Sequence, residues 1–228
     1  MLLSLLIATL KSRQALRSRL EVKLIPMIGA VDSLFQYCHP EHPDGLRTYR
    51  GQAIELIEFE DDGDLDIGSK RNALVNAATG DYLAFIDDDD VVSVDYVTSI
   101  VAALQSKPTC VGFRVRRTSN GKPIGESINS LSMLHNGKMA LPEGRTLYLR
   151  TPNHLNPIRR ELIQKLGPEP FPKMNHGEDQ IFAAKILPIL RGGTEVFIDQ
   201  YLYHYEYRMP DRRAGERTND LVISEAHQ

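Results

Sequence analysis

Short apolar runs separated by helical periodicities set the order of elements along this chain. Ser4 to Ala8 predicts a first strand, and Leu16, Leu20 and Leu24, recurring at every fourth position, predict a helix after it. Residues 26 to 50 follow no regular pattern, with His39, Pro40, His42, Pro43, Asp44 and Gly45 marking a loop. Ile54 to Phe59 predicts a second strand, ending in Glu60-Asp61-Asp62-Gly63-Asp64. A helix over Ile67 to Ala78 follows, apolar along Ala73, Leu74, Ala77 and Ala78, with Gly80 placed as a left-handed cap. Tyr82 to Ile86 predicts a third strand. Ser93 then stands where it could cap a helix that turns Tyr96, Val97, Ile100, Val101 and Leu104 to one face.

Strand and helix thus alternate three times, which predicts an α/β fold with a mostly parallel sheet covered by helices. Cys110 to Val115 adds a strand, the pattern weakens from Arg116 to Arg150, and Asn120-Gly121 suggests a hairpin turn. Asn156, Pro157 and Gly167 read as the cap, first position and end of a helix burying Leu162, Ile163 and Leu166. Glu178 to Leu187 predicts another helix, stopped near Pro188 and Gly192-Gly193. Thr194 to Ile198 and Tyr201 to Tyr207 predict late strands, and the segment after Arg208 is a polar tail. No repeat or linker divides the chain, so residues 1–228 are expected to form a single domain.

A length of 228 residues suits one sizeable core, and a formal net charge of −3 gives no reason to expect non-specific nucleic-acid binding. Met1 to Leu10 is apolar but too short to span a bilayer, and it lacks the basic start of a signal peptide. No transmembrane segment is expected. Two cysteines, Cys38 and Cys110, form neither a disulfide framework nor a metal-ligand spacing, which favours a cytoplasmic protein with reduced thiols.

The chemistry concentrates at Asp87-Asp88-Asp89-Asp90, directly after the third strand. Two like charges about 4 Å apart repel by roughly 1 kcal/mol in water and about 4 kcal/mol near a protein surface. Such a cluster splays into solvent as a plain acidic turn, or shares a cation of the Mg²⁺, Mn²⁺ or Ca²⁺ type. In open α/β sheets, ligands bind beyond the carboxyl ends of strands, where this cluster would lie. Glu60-Asp61-Asp62 ends the second strand, where a carboxylate could accept from a base edge or ribose, or simply form a polar loop. Gly68-Ser69-Lys70-Arg71-Asn72 puts basic residues in the first turns of a helix, against the macrodipole, a mismatch that a bound diphosphate would relieve. Exposed helical Lys and Arg are equally compatible with that segment. Together these features fit a nucleotide diphosphate bridged to the protein by a divalent cation. Asn175-His176-Gly177-Glu178-Asp179 opens a helix with two acids where the dipole favours negative charge, so one of them could take a proton from an attacking hydroxyl.

Thr9, Gly68-Ser69-Lys70-Arg71-Asn72-Ala73-Leu74, Ala78-Thr79-Gly80-Asp81-Tyr82, Phe85-Ile86-Asp87-Asp88-Asp89-Asp90 and Glu178-Asp179 resemble family 2 glycosyltransferases of the GT-A fold. The resemblance covers residues 1 to about 105 well and 150 to 207 loosely, and finds no signature over 116 to 150. It implies an inverting enzyme of α/β/α architecture that uses a nucleotide-sugar donor and Mn²⁺ or Mg²⁺. Residues 1–105 would form the donor-binding half, and 106–207 the acceptor and catalytic-base half. Thr9, Arg13, Asp61 or Asp62, Lys70, Arg71, Asp87 and Asp88 would bind the nucleotide sugar. Asp89, with Asp87 and His204, would hold the metal. Asp179 would be the base beside Glu178, and His154 and Asn156 would line the acceptor side.

Two departures bear on function. The loop Asp61-Asp62-Gly63-Asp64 lacks the family's usual serine, and the chain has no Trp. With no membrane segment either, transfer of a single sugar is expected rather than processive polymer synthesis. The donor could be a UDP-, GDP- or dTDP-sugar, and the acceptor a glycan, lipid, protein or nucleic acid; oligomeric state is open. Two other classes compete: a Mg²⁺-dependent phosphohydrolase with an aspartate nucleophile, and a non-catalytic module that only binds a nucleotide sugar or a partner.

Overall fold

The computed structural model describes residues 2–36 and 45–207. Cys38, the loop around His39 to Asp44 and the polar tail from Arg208 lie outside the described residues. The first strand β1 (Leu3–Leu10) runs parallel to β3 (Ile54–Asp61) on one side and to β4 (Tyr82–Phe85) on the other. A short bridge, β10 (Ile158–Arg159), pairs antiparallel with β4 and with β6 (Cys110–Ser119), and β11 (Glu195–Tyr207) runs parallel to β6. β1, β3, β4, β6 and β11 therefore share one direction, as expected. Antiparallel additions make the sheet mixed overall: β2 (Leu46–Arg50) on β3, β7 (Lys122–Asn129) on β6, β8 (Gly137–Ala140) on β9 (Thr146–Arg150), and β5 (Val91–Val92) on β11.

Alternation along the strands divides the core. Leu3, Leu5, Ile7, Ile54, Leu56 and Ala84 face α1 (Gln14–Val31) and α3 (Tyr96–Leu104), meeting Leu20, Leu24, Ile28, Val97 and Ile100. Leu6, Ile57, Leu83 and Phe85 face α2 (Ile67–Ala77), α4 (Arg160–Gln164) and α5 (Glu178–Leu190), meeting Leu74, Ile163, Phe182 and Ile186. Strands buried on both faces read as unbroken apolar runs. The result is an α/β/α sandwich.

Several local expectations are corrected. Residues 26 to 31 are helical, because Pro26 removes only the bond to the Val22 carbonyl, on a side where Val22 is three-quarters exposed and water can reach. Residues 46 to 50 form edge strand β2. Gly80 is not a left-handed cap. A Cβ there would sit 2.8 Å from the Ser4 amide nitrogen and 2.9 Å from the Leu2 carbonyl oxygen, so glycine is required for close approach to β1. Ser93 does not cap α3: Asp95 stands at the N-cap position, and the Ser93 hydroxyl has no partner. Asn156 caps no helix: β10 intervenes, and its amide donates to the Val111 carbonyl at 2.9 Å. Pro188 lies inside the last turn of α5, and the two late strands are one, β11, kinked by irregular register between Ile198 and Tyr203. Asn120 and Gly121 both take positive φ (48° and 74°), as the predicted hairpin turn requires.

Candidate functional site

Because β1, β3 and β4 are parallel, their carboxyl ends bring Thr9, Asp61 and the aspartate run to one edge. The four aspartates have diverged in role. Asp88 is buried and accepts from the Thr9 hydroxyl at 2.7 Å and from Arg13 at 2.8 Å. Asp90 accepts the Glu206 N–H at 2.8 Å; burial first, then the Asp87 charge, pushes it up to about 8. Asp87 accepts from Arg71 at 2.8 Å and lies 3.4 Å from His154 Nε2, while its own N–H donates to the Tyr203 hydroxyl at 3.0 Å. Burial works to raise Asp87, but Arg71 and His154 outweigh it and hold the carboxyl well below the usual range. Asp89 alone keeps a partly exposed carboxylate without a close partner, Arg13 being 3.8 Å away. Burial and then the Asp87 and Asp88 charges raise its pKa.

The start of α2 departs from expectation. It is not open to a diphosphate: the Asp66 carboxylate accepts the Ser69 N–H at 2.8 Å, Asn175 accepts the Ile67 N–H at 3.1 Å, and the Met174 carbonyl accepts from Gly68. Lys70 and Arg71 are not displayed either. Lys70 pairs with Asp61 and donates to the Thr9 carbonyl at 3.3 Å. Arg71, buried over the Phe85 and Phe171 rings, pairs with Glu178 as well as Asp87. Buried cations require such partners, and here they lock α2 to β4 and α5. Asp62 lies at the surface beside Lys11 at 2.6 Å, whereas Asp61 is held by Lys70, which also donates to the Thr9 carbonyl.

Gly177, in the left-handed conformation (φ 82°), ends the preceding loop and starts α5. Glu178 turns inward to Arg71. Asp179 has no hydrogen-bond or ion-pair partner among the described residues, and it lines a cleft of about 350 Å³ with Asp87, His154, Arg117, Arg150 and Tyr205. The cleft wall holds buried polar atoms without partners: Arg71 Nε, His154 Nδ1, Asn129 Oδ1 and Arg117 Nε. Native proteins rarely leave such atoms unsatisfied, so a polar ligand or water completes this wall.

Two expected site residues lie elsewhere. His204 alternates with Tyr203 and Tyr205 on β11, so it faces away from the aspartates that Tyr203 reaches, and its Nε2 meets the Thr118 hydroxyl at 2.9 Å. It does not join the aspartate run. Asn156 is fully buried in backbone contacts and does not line the cleft, although His154 does. Among the described residues no three His, Cys, Asp or Glu side chains converge on one point. A Mg²⁺-type ion held through one carboxylate and substrate phosphates needs no such convergence, and Asp89, raised by its neighbours, suits that role; Asp87 is committed to Arg71. Sequence reasoning missed Arg117, Arg150, Tyr148, Tyr203 and Tyr205. The aromatic alternation of Tyr201 to Tyr207 was the one signal available for the last two.

Parallel strands whose ends carry acids, locked to a helix opening on a Glu-Asp pair, define a GT-A type glycosyltransferase fold. The family model "Glycosyl transferase family 2" matches residues 46–167, more than half the chain, and the chain belongs to that family. The matched stretch includes Asp61 to Asp90 and stops short of Glu178. Among solved structures, S. aureus TarS 1-349 in complex with UDP superposes with TM-score 0.58 at 16% identity, over 90% of this chain and 60% of that one. The same fragment in complex with UDP-GlcNAc gives TM-score 0.53 at 14% identity, over 96% and 62%. At such identities the likeness is one of fold, and this chain spans about three fifths of the TarS fragment. None of the curated proteins compared matches the chain. Among the described residues no helix is long and apolar enough to cross a membrane.

Proposed function

We propose that this protein transfers a single sugar from a nucleotide-sugar donor to an acceptor hydroxyl, with inversion at the anomeric carbon. The observation that carries the reading is Asp179: an unpartnered carboxylate on the same cleft as Asp87, with Arg71 gripping Glu178 and Asp87 behind it. Asp179 takes the acceptor proton as its oxygen attacks, and the sugar–phosphate bond breaks on the opposite face with its electron pair leaving on the diphosphate. Thr9, Asp61 and Asp88 form the nucleoside end, so residues 1–105 grip the donor while 106–207 supply the acceptor side and the base. Asp89 would hold Mn²⁺ or Mg²⁺ together with donor phosphates, and the ion would supply charge stabilisation to the departing diphosphate. Because TarS was crystallised with UDP and UDP-GlcNAc, uridine nucleotides are the first donors to test.

The test is a thermal-shift screen of UDP-, GDP- and dTDP-sugars with and without Mn²⁺, followed by transfer assays. One donor should raise the melting temperature by mass action in a metal-dependent way. Asp89→Ala should abolish that metal dependence. Asp179→Asn should lower turnover by about 10²–10⁴ while leaving donor affinity intact; near-normal transfer by this variant would remove the assigned base. Release of phosphate from generic phosphomonoesters would favour a phosphohydrolase instead.

A further inference from the structure

The acceptor side of the cleft carries two cations that the proposed chemistry does not use. On β6, Val115 and Arg117 line the cleft, while Arg114 and Arg116 turn to the other face, to Asp199 and the Tyr201 ring. The Arg117 guanidinium lies between two aromatic rings, 4.5 Å from the Tyr205 centroid and 4.8 Å from that of Tyr148. Arg150, from β9, lies 5.2 Å from the same Tyr148 ring. Two guanidinium groups thus flank one tyrosine. Among the described residues neither has a carboxylate within ion-pair reach, in contrast to Arg13, Arg17, Arg47, Arg50, Arg71 and Arg114.

Their stacking fixes both groups in place, so the repulsion between them is not relieved by swinging into solvent. Burial lowers the Arg117 pKa, and the nearby Arg150 charge acts in the same direction. Arg117 Nε is buried with no acceptor. Rigid, paired guanidinium forks of this kind match the oxygens of a phosphate or carboxylate.

Resting on the transferase reading above, we infer that Arg117 and Arg150 form an anion subsite and that the acceptor carries a phosphate or carboxylate group near the hydroxyl that is glycosylated. Arg71 and Asp87 also line the cleft but are engaged with each other, Glu178 and His154. None of Thr9, Arg13, Asp61, Lys70, Asp88 or Asp89 reaches it, so the anion held by the free arginines belongs to the acceptor and not to the donor diphosphate. Such an acceptor would be anchored by its charge while its hydroxyl meets the base. Neutral glycans would lack that anchor.

The experiment titrates the intact protein with methyl phosphate and, as a neutral control, methyl glucoside, by calorimetry or chemical-shift perturbation. UDP with Mn²⁺ is titrated in parallel. Wild type should bind methyl phosphate saturably and methyl glucoside not at all. Arg150→Gln should weaken the phosphate about tenfold, Arg117→Lys less than Arg117→Gln, and UDP affinity should stay within twofold in each. Absence of saturable phosphate binding by wild type overturns the subsite. A parallel loss of UDP affinity in Arg150→Gln also overturns it, assigning the arginines to the donor. Failure of wild type to bind any nucleotide while methyl phosphate still binds would instead sink the transferase reading and leave the subsite standing.

Discussion

Replacing Arg71 by Met keeps the bulk over Phe85 and Phe171 but removes the charge that serves two carboxylates. Arg71 and Glu178 are both more than nine-tenths buried, so solvent cannot screen what is left behind. Removing one partner of a buried ion pair costs about 3–5 kcal/mol, because the other charge stays desolvated and alone. For a domain of this size each kcal/mol lowers Tm by roughly 2–4 °C, so Arg71→Met should melt about 6–20 °C early. Urea denaturation followed by circular dichroism gives the free energy directly. Glu178→Gln added to Arg71→Met removes the stranded charge, and the double variant should regain about 1–3 kcal/mol relative to Arg71→Met alone. A loss below about 1 kcal/mol for Arg71→Met, or strict additivity in the double variant, would refute the view that Arg71 is a charge clamp.

Three further outcomes are expected. Glu58 is buried, and burial first, then the Glu21 carboxylate, pushes its pKa from 4.5 up to about 8. The fold therefore favours protonated Glu58: its stabilising effect is complete below pH 4.5 and is lost as pH climbs through 8, a decline on the order of a few kcal/mol. Glu58→Gln should flatten that decline in urea titrations at pH 5 to pH 9; an unchanged slope would count against the raised value. Gly80→Ala should destabilise by about 1–3 kcal/mol in the same assay. Adding Ser4→Ala should restore little of that, since the clashing Ser4 nitrogen and Leu2 oxygen are backbone. Asn156→Ala should unfold more easily by about 1–3 kcal/mol, as the Val111 carbonyl loses its donor, with acceptor KM unchanged in whatever folds.

The half up to about residue 105 was legible in the sequence because its strands are buried on both faces and its acids sit at strand ends. Ser4 to Ala8 and Ile54 to Phe59 became parallel strands with one or two residues added at the ends, and Tyr82 to Ile86 one that stops a residue earlier. What local pattern misjudged was partnership. Lys70 and Arg71 read as a displayed basic turn, yet both are buried counter-ions, and the acids that claim them lie in other elements. The family resemblance points His204 toward a metal, whereas strand alternation sends it to the opposite face. Residues 116 to 150 were opaque for a different reason: their strands are short and half-exposed, so neither alternation nor a continuous run stands out. Arg117 and Arg150 become neighbours only through the pairing of β6 with β7 and of β7 with β9.

The Arg71 clamp joins α2, the aspartate run after β4 and α5, with His154 from the loop after β9 beside it, and no residue of β7, β8 or β9 themselves takes part in it. Side chains on β7, β8 and β9 can therefore vary without shifting Glu178 and the start of α5 relative to Asp87.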